Sequence, residues 1–487
     1  MPVLRQPQRV GAGRSATVTS ENVLSVLDAV FLHVESERTP MHMASVGLFE
    51  GAPLRDAEGA FRIEDARRLI ASRLKLVPKL RQVAARGLLG EAPPTWVDDP
   101  AFDIADHVRI RHLPSSGTEL ELRQLCAELL SEPLDRRRPL WDLTFVDGLA
   151  DGNIAVIERL HHSMADGLAA AELATVLLDL SPEPVEPRDE DPWIPATPLP
   201  VWRAAIEDVL RLGGIWVRAT SWGVQTLAHP ISRLREGTKL GSAITTLLTP
   251  KIIAPKSSLN VPITEARSVD FVRLAFAEMR DVAHAFDATV NDVLLAIVTG
   301  GLHRLLESRG EVVEKSELQA LVPVGYAKAK GDVANSLSAL FVRLPIGTTD
   351  PLDVLSVVSA EVKADKRRHQ SVAASTLLHL LDPLPQSVLA SLAGVVQHQP
   401  FFNVIITNVP GPPVPLYAMG ARLLEVFPIV PLAGNQSMGV AAVSYEGHLN
   451  LGVLTDPVTC PDVVLFCAGV QSTLQVLVDR SRGAACR

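Results

Sequence analysis

The run His161-His162-Ser163-Met164-Ala165-Asp166-Gly167 constrains this chain more than any other stretch. It joins a β-rich segment, residues 153–160, to an apolar-periodic segment that begins at Leu168. Two histidines, an aspartate and a glycine therefore sit where a strand hands over to a helix. Folds that alternate strands and helices place their chemistry at such strand ends. A histidine there can move a proton near neutral pH, and a nearby carboxylate can set its tautomer and orientation. The pattern predicts an α/β fold and an enzyme rather than a scaffold.

The chain of 487 residues is too long for one ordinary core and predicts two or three domains. No uninterrupted apolar run approaches the roughly 20 residues of a spanning helix. Residues 423–433 are mostly apolar, but the stretch is short and contains Glu425, Pro428 and Pro431. Residues 1–19 carry Arg5, Arg9 and Arg14 without an apolar segment, which predicts a disordered tail rather than a secretory signal. Cys126, Cys460, Cys467 and Cys486 form neither CxxC pairs nor a disulfide framework, so a reducing cytoplasm is expected. A formal charge of −9 argues against a nucleic-acid partner.

Against that acidic background, residues 211–256 hold Arg211, Arg218, Arg233, Arg235, Lys239, Lys251 and Lys256 against Glu236 alone. Trp202, Trp216 and Trp222 lie in the same neighbourhood. Basic residues mixed with tryptophan suit an anionic membrane surface. A core-facing helix pair with a solvated basic rim is the alternative.

Residues 20–182 read as one α/β domain. Strands are expected near 43–49, at Phe145-Val146 and at 154–160, and helices over 64–74, 118–130 and 169–180. The strands around the turn at 147–152 predict a hairpin feeding the histidines. Residues 181–200 hold seven prolines among acidic side chains, so 183–256 is read as a Pro-rich acidic linker and a basic helical crossover. A second α/β domain is expected over 257–487. Its strands fall near 268–276, 318–324, 340–344, 404–407, 438–444 and 448–454, with helices over 290–306 and from Pro461.

His162 at a strand end could take the proton of an alcohol as its oxygen attacks an acyl carbonyl, a contribution of roughly 10²–10⁴-fold. Asp166 suits a role in holding the turn, and Gly167 lets the backbone pass close to its neighbours. Core histidines satisfied by hydrogen bonds, a metal site from His162 and Asp166 at i, i+4, and coincidence are the alternatives. The metal reading lacks an HExxH pattern and further clustered ligands, so no metal is expected.

Further landmarks accompany the motif. They are Leu27-Asp28-Ala29-Val30-Phe31-Leu32, Thr39-Pro40-Met41-His42, Glu132-Pro133-Leu134-Asp135, and Arg138-Pro139-Leu140-Trp141. Thr289-Val290-Asn291-Asp292-Val293 and Asn408-Val409-Pro410-Gly411-Pro412 follow. Over residues 24–462 this ordered series resembles the bacterial wax ester synthase/diacylglycerol acyltransferase family, in its actinobacterial triacylglycerol synthase branch. That family lies within the HHxxxDG group of CoA-dependent acyltransferases.

The resemblance implies two chloramphenicol-acetyltransferase-like α/β domains with mixed sheets and an active-site tunnel at their interface. It implies His162 as general base, His161 in support and Asp166 as structural orienter. Acyl-CoA would be a co-substrate, with no cofactor, and diacylglycerol or a long-chain alcohol the acceptor. The location implied is cytoplasmic, peripheral to the inner face of the plasma membrane or to lipid droplets. Asn291 is either an oxyanion donor or the cap of the following helix. Trp141 is expected to pack behind the catalytic loop, with Pro139, Leu140 and Asp292 as supporting residues. Pro410-Gly411-Pro412 is expected to set a rigid turn. Gly331, Asn335 and Ser338 resemble a further family stretch, with Pro345 ending the strand after it. Val261 after Asn260 departs from the glycine often found there.

Overall fold

The hairpin expected before the histidines lies inside a six-stranded sheet that both halves of the chain build. The computed structural model describes residues 22–87, 90–114, 116–164, 178–183, 193–196, 206, 209, 253–312, 314–325, 337–369 and 386–485. In the first half these form α1 (Val26–Val34), β1 (His42–Phe49), α2 (Ile63–Arg73), β2 (Gln82–Ala85) and β3 (Thr95–Asp98). Then come α3 (Ile104–His107), β4 (Val108–His112), α4 (Glu119–Ser131), β5 (Trp141–Asp147) and β6 (Ile154–His161). Thr118 caps α4 through a reciprocal pair with Glu121, the sequence-local signal of a helix start.

The second half continues with β7 (Ser268–Ala275), α5 (Phe276–Ala285), α6 (Val290–Ser308), β8 (Leu318–Gly325), β9 (Leu337–Leu344), α7 (Pro351–His369) and α8 (Gln386–Gln397). It ends with β10 (Val404–Val409), β11 (Tyr417–Ala418), β12 (Ala421–Ile429), β13 (Met438–Tyr445), β14 (His448–Thr455) and α9 (Val463–Ala485). The sheet orders are β11-β12-β1-β6-β5-β4 and β7-β14-β13-β10-β8-β9. Both are mixed: β4 runs parallel to β5, and β10 runs parallel to β13 and β8, while the other pairs are antiparallel. Helices α5, α6, α7 and α9 pack with the second sheet around one large core. Over residues 463–483 α9 is long and apolar enough to cross a membrane, yet Phe466, Val470, Leu474 and Leu477 are buried in that core. Gly301 and Gly469 permit its close crossing of α6, since a Cβ on Gly469 would stand 2.8 Å from the Gly301 Cα.

The structure departs from the expected organisation in three places. Strands β11 and β12 fall within 257–487, yet they join the first sheet, where β12 pairs with β1 from Ala44↔Ile429 to Phe49↔Leu423. Gly452 of β14 makes this possible, because a Cβ there would meet the Pro428 carbonyl oxygen at 2.0 Å. Pro428 is tolerated within β12 because its outer neighbour β11 is only two residues long, which leaves most of one edge without a ladder. The segment read as merely apolar is thus a strand.

Second, residues 178–180 are not helical: Asp179 exchanges backbone hydrogen bonds of 2.7 and 2.8 Å with Tyr417, which a helical turn cannot do. The rest of the expected 169–180 helix lies outside the described residues. So do the 1–19 tail and all of the basic segment except Ile253 to Lys256. Third, the short strand expected to contain Phe145 and Val146 is β5, which runs over seven residues.

Candidate active site

Strand β6 ends on His161, and a 3₁₀ turn, His162–Met164, follows at once. The His162 backbone N–H donates to the Met41 carbonyl oxygen at 2.8 Å, which fixes the turn against the start of β1. The His162 ring stacks on Phe31 of α1, with centroids 3.9 Å apart and planes at 17°. Its Nδ1 is buried without a hydrogen-bond partner, although the residue as a whole keeps partial exposure. Burial, with a smaller contribution from His161, pushes the imidazole down to about 4 from its ordinary 6.5. His162 is therefore a deep but reachable imidazole that stays unprotonated at neutral pH.

His161 is fully buried. Its Nδ1 accepts the Ser163 backbone N–H at 3.1 Å and lies 2.7 Å from Ser163 Oγ. A nitrogen that accepts a backbone N–H carries no proton, so the ring proton sits on Nε2. Nε2 faces Glu35 Oε1 at 3.3 Å, in a geometry short of a well-aligned hydrogen bond. Glu35 Oε1 also accepts the Met41 N–H at 3.2 Å, and Oε2 takes Arg136 Nε and Nη2, each at 2.8 Å. Burial alone would raise the Glu35 carboxyl, but His161 and Arg136 together bring it down to about 2. His42 stands opposite His161 across β1 and β6. It is buried with its Nδ1 unpaired and is held near 3, chiefly by burial and then by Arg159.

The Pro139-Leu140-Trp141 run frames this turn from the other side. The Leu140 carbonyl accepts the His161 N–H at 2.9 Å, and the Pro139 carbonyl accepts the Trp141 N–H at 2.9 Å. Trp141 is buried opposite Leu160, donates Nε1–H to the Leu80 carbonyl at 2.8 Å, and stacks on His107 at 4.7 Å. Its neighbours are thus Leu160 at the end of β6, Leu80 and His107. Asp142 and Arg159 form a buried pair on the adjoining register position, at 2.6 and 2.9 Å.

The second half contributes Asn291 and Asn408. The cap reading of Asn291 is overturned: Thr289 is the N-cap of α6 and pairs reciprocally with Asp292, so Asn291 lies two residues too late to cap. Its Oδ1 instead accepts Asn408 Nδ2 at 3.5 Å, which joins two landmarks far apart in sequence. Asp292 is buried and also receives the Ser359 hydroxyl at 3.3 Å. Gly411 is required for packing, since a Cβ would stand 1.8 Å from the Ser444 carbonyl oxygen. Pro410 is exposed beside it. Asn260 donates to the Phe402 carbonyl at 3.0 Å, so the segment that follows the linker anchors at the foot of β10. Strand β9 includes Ser338 and stops at Leu344, just before Pro345. Asp166, Gly167, Gly331 and Asn335 lie outside the described residues. Among those described, no hydrogen bond links Asn291 to the histidine turn.

Comparison with known proteins places this geometry. The catalytic domain of the wax ester synthase/diacylglycerol acyltransferase family matches residues 24–294, and the C-terminal domain of the same family matches 333–477. The chain belongs to this family.

A Mycobacterium tuberculosis protein described as "Probable diacyglycerol O-acyltransferase tgs1" is 32% identical over 472 residues, 95% of this chain and 96% of its own. The wax ester synthase/diacylglycerol acyltransferase of Marinobacter aquaeolei is similar in structure at a TM-score of 0.66 and 25% identity, covering 94% of this chain and 99% of that one. A trichothecene 15-O-acetyltransferase of Fusarium sporotrichioides shares the fold at a TM-score of 0.58 and 12% identity, covering 94% of each chain. The protein is thus an acyltransferase with the mixed α/β architecture of the wax ester synthase/diacylglycerol acyltransferase family. In this family member Phe31, Glu35, His42 and Arg136 surround the histidines without having been assigned roles from sequence. Phe31 and His42 stood inside landmark runs. Glu35 and Arg136 are 101 positions apart, and no local pattern announces their pairing.

Proposed function

We propose that the protein transfers a long-chain acyl group from acyl-CoA to diacylglycerol, yielding triacylglycerol and free CoA, with His162 as general base. The observation that carries the reading is a deep, partly exposed and unprotonated His162 at the family motif. Its Nδ1 is shut in, so Nε2 takes the proton of the acceptor hydroxyl. The hydroxyl oxygen bonds to the thioester carbonyl carbon, and the tetrahedral adduct collapses by breaking its C–S bond. The CoA sulfur leaves with the proton returned by the imidazolium. A base near 4 is always available but less basic than an ordinary imidazole, so the oxyanion needs separate support. Asn291 is suited to give it: Asn408 occupies its Oδ1, which leaves the Asn291 Nδ2 amide free to donate. The descriptions of the relatives support diacylglycerol as acceptor.

The test is CoA release by the full chain over a panel of acceptors, with triacylglycerol identified as product. His162→Ala should lose about 10²–10⁴-fold in turnover. Turnover near the parent level would remove His162 from the role of base. Preference for a long-chain alcohol would make the protein a wax ester synthase, with the same chemistry.

The protein also works at a lipid surface in this proposal. Leu180 (74%) and Ile194 (82%), which precede the Trp-bearing basic segment in the sequence, are exposed, as is Ile253 within it. Co-sedimentation with phosphatidylglycerol vesicles should exceed that with phosphatidylcholine. Reversing the charges of Arg233, Arg235 and Lys239 should weaken it; unchanged sedimentation would sink the proposal.

A further inference from the structure

The segment between α1 and β1 does more than connect them. Glu35, the C-cap of α1, directs its carboxylate inward, and its side chain is only 3% exposed. One oxygen meets both the His161 Nε2 and the Met41 N–H, while the other is clamped by two nitrogens of Arg136. Met41 in turn gives its carbonyl to the His162 N–H. A single short loop therefore touches the ring of one histidine and the backbone of the next. Its closure is fixed by Ser36 and Thr39, which exchange backbone hydrogen bonds of 3.3 and 3.0 Å. The second half reaches the same loop through Arg267, which donates to the Arg38 carbonyl.

We infer that Glu35 is the positioning residue of this site: its carboxylate holds His161 with the proton on Nε2, and thereby holds the turn that carries His162. The inference rests on the acyl-transfer reading for its kinetic consequence but not for its structural one. Nδ1 of His161 can accept the Ser163 N–H only while it carries no proton. A carboxylate at the opposite nitrogen enforces that tautomer by favouring Nε2–H. His161 Nε2 has no other polar partner among the described residues. Should the proton move to Nδ1, the Ser163 N–H would lose its acceptor and the 3₁₀ turn would lose its anchor. Arg136, itself partly exposed, keeps Glu35 ionised and aimed.

The experiment uses the full-length protein and the variants Glu35→Gln, Glu35→Asp and Arg136→Gln. Glu35→Gln keeps the shape and removes the charge. It should lower kcat by about ten- to a hundredfold, the scale of losing a group that orients an imidazole, while KM for acyl-CoA stays within about twofold. Glu35→Asp should recover part of the loss. In the parent, ¹⁵N shifts of the labelled His161 ring should report a protonated Nε2 and a bare Nδ1, and in Glu35→Gln a mixture of tautomers. A Glu35→Gln kcat within twofold of the parent, or a parent His161 protonated on Nδ1, overturns the inference. If Glu35→Gln does not fold, Arg136→Gln decides, because its surface guanidinium can be replaced without opening the core; unchanged kcat there also overturns it. A parent enzyme that releases no CoA with any acceptor defeats the acyl-transfer reading instead. The ring shifts test Glu35 in either case.

Discussion

At the scale of single residues, two histidines of the site, His42 and His162, are kept from taking up protons. His42 sits near 3 and His162 near 4, in both cases chiefly through burial, whereas an unfolded chain titrates both near 6.5. The unfolded state binds the extra protons first as pH falls. This part of the stability is complete above pH 6.5 and is lost progressively toward pH 3–4, with a slope of about 1.4 kcal/mol per pH unit for each group. Glu35 acts lower down: with a folded value of about 2 against 4.5, its contribution is complete above pH 4.5 and lost toward pH 2. Glu158 has the opposite sign, because burial raises it despite the Ser45 hydroxyl, so its cost is relieved as pH falls. Urea unfolding at pH 7.5 and 5.0 should show clearly lower stability at the acid point. His42→Gln should shrink that difference by about one proton's slope; an unchanged difference would assign the acid sensitivity elsewhere.

At the scale of elements, the start of α6 sets a capping pair beside the proposed oxyanion donor. Thr289 and Asp292 secure the helix, while Asn291 between them turns toward Asn408. Thr289→Ala should cost about 1 kcal/mol of stability and leave turnover per folded molecule nearly intact. Asn291→Ala should do the reverse, losing about 10²–10³-fold in kcat with little change in melting temperature. Equal melting loss in both variants, with normal turnover for Asn291→Ala, would return Asn291 to a structural role. Helix α4, through its leucine spacing, and the hairpin of β5 and β6 were readable because their signals lie within a few residues. The start of α6 misled because Asn is a favoured cap, and only the backbone register showed that Thr289 held the position.

At the scale of the whole molecule the two halves are stitched rather than docked. β12 completes the edge of β1, and Phe427 on it stacks on Phe271 of β7 at 4.2 Å. Arg273 of β7 reaches both Glu425 and Glu119 at 2.8 Å, and Arg123 pairs with Asp270 across the same seam. Without β12 the first half would expose a long strand edge, a template for aggregation. Residues 1–256 and 257–487 expressed apart should therefore aggregate, and their co-expression should restore soluble protein and CoA release. A monomeric, natively folded 1–256 fragment on size exclusion would refute the stitched arrangement.

The sequence by itself determined the α/β class, most strands and the helices α2, α4, α6 and α9, because alternation and helical spacing are local; the 19-residue α7 went unread. It also determined the histidine motif and its ordered companions, which is why the family was legible before any coordinates. Only the tertiary structure decided that β12 belongs to the first sheet, because strand pairing depends on long-range register and on a close approach that Gly452 permits. It alone brought Glu35 and Arg136 to His161 and Phe31 to His162. The protonation of His162 follows chiefly from burial, and that of His42 from burial and from Arg159 of another strand; burial of this kind is set by the tertiary structure.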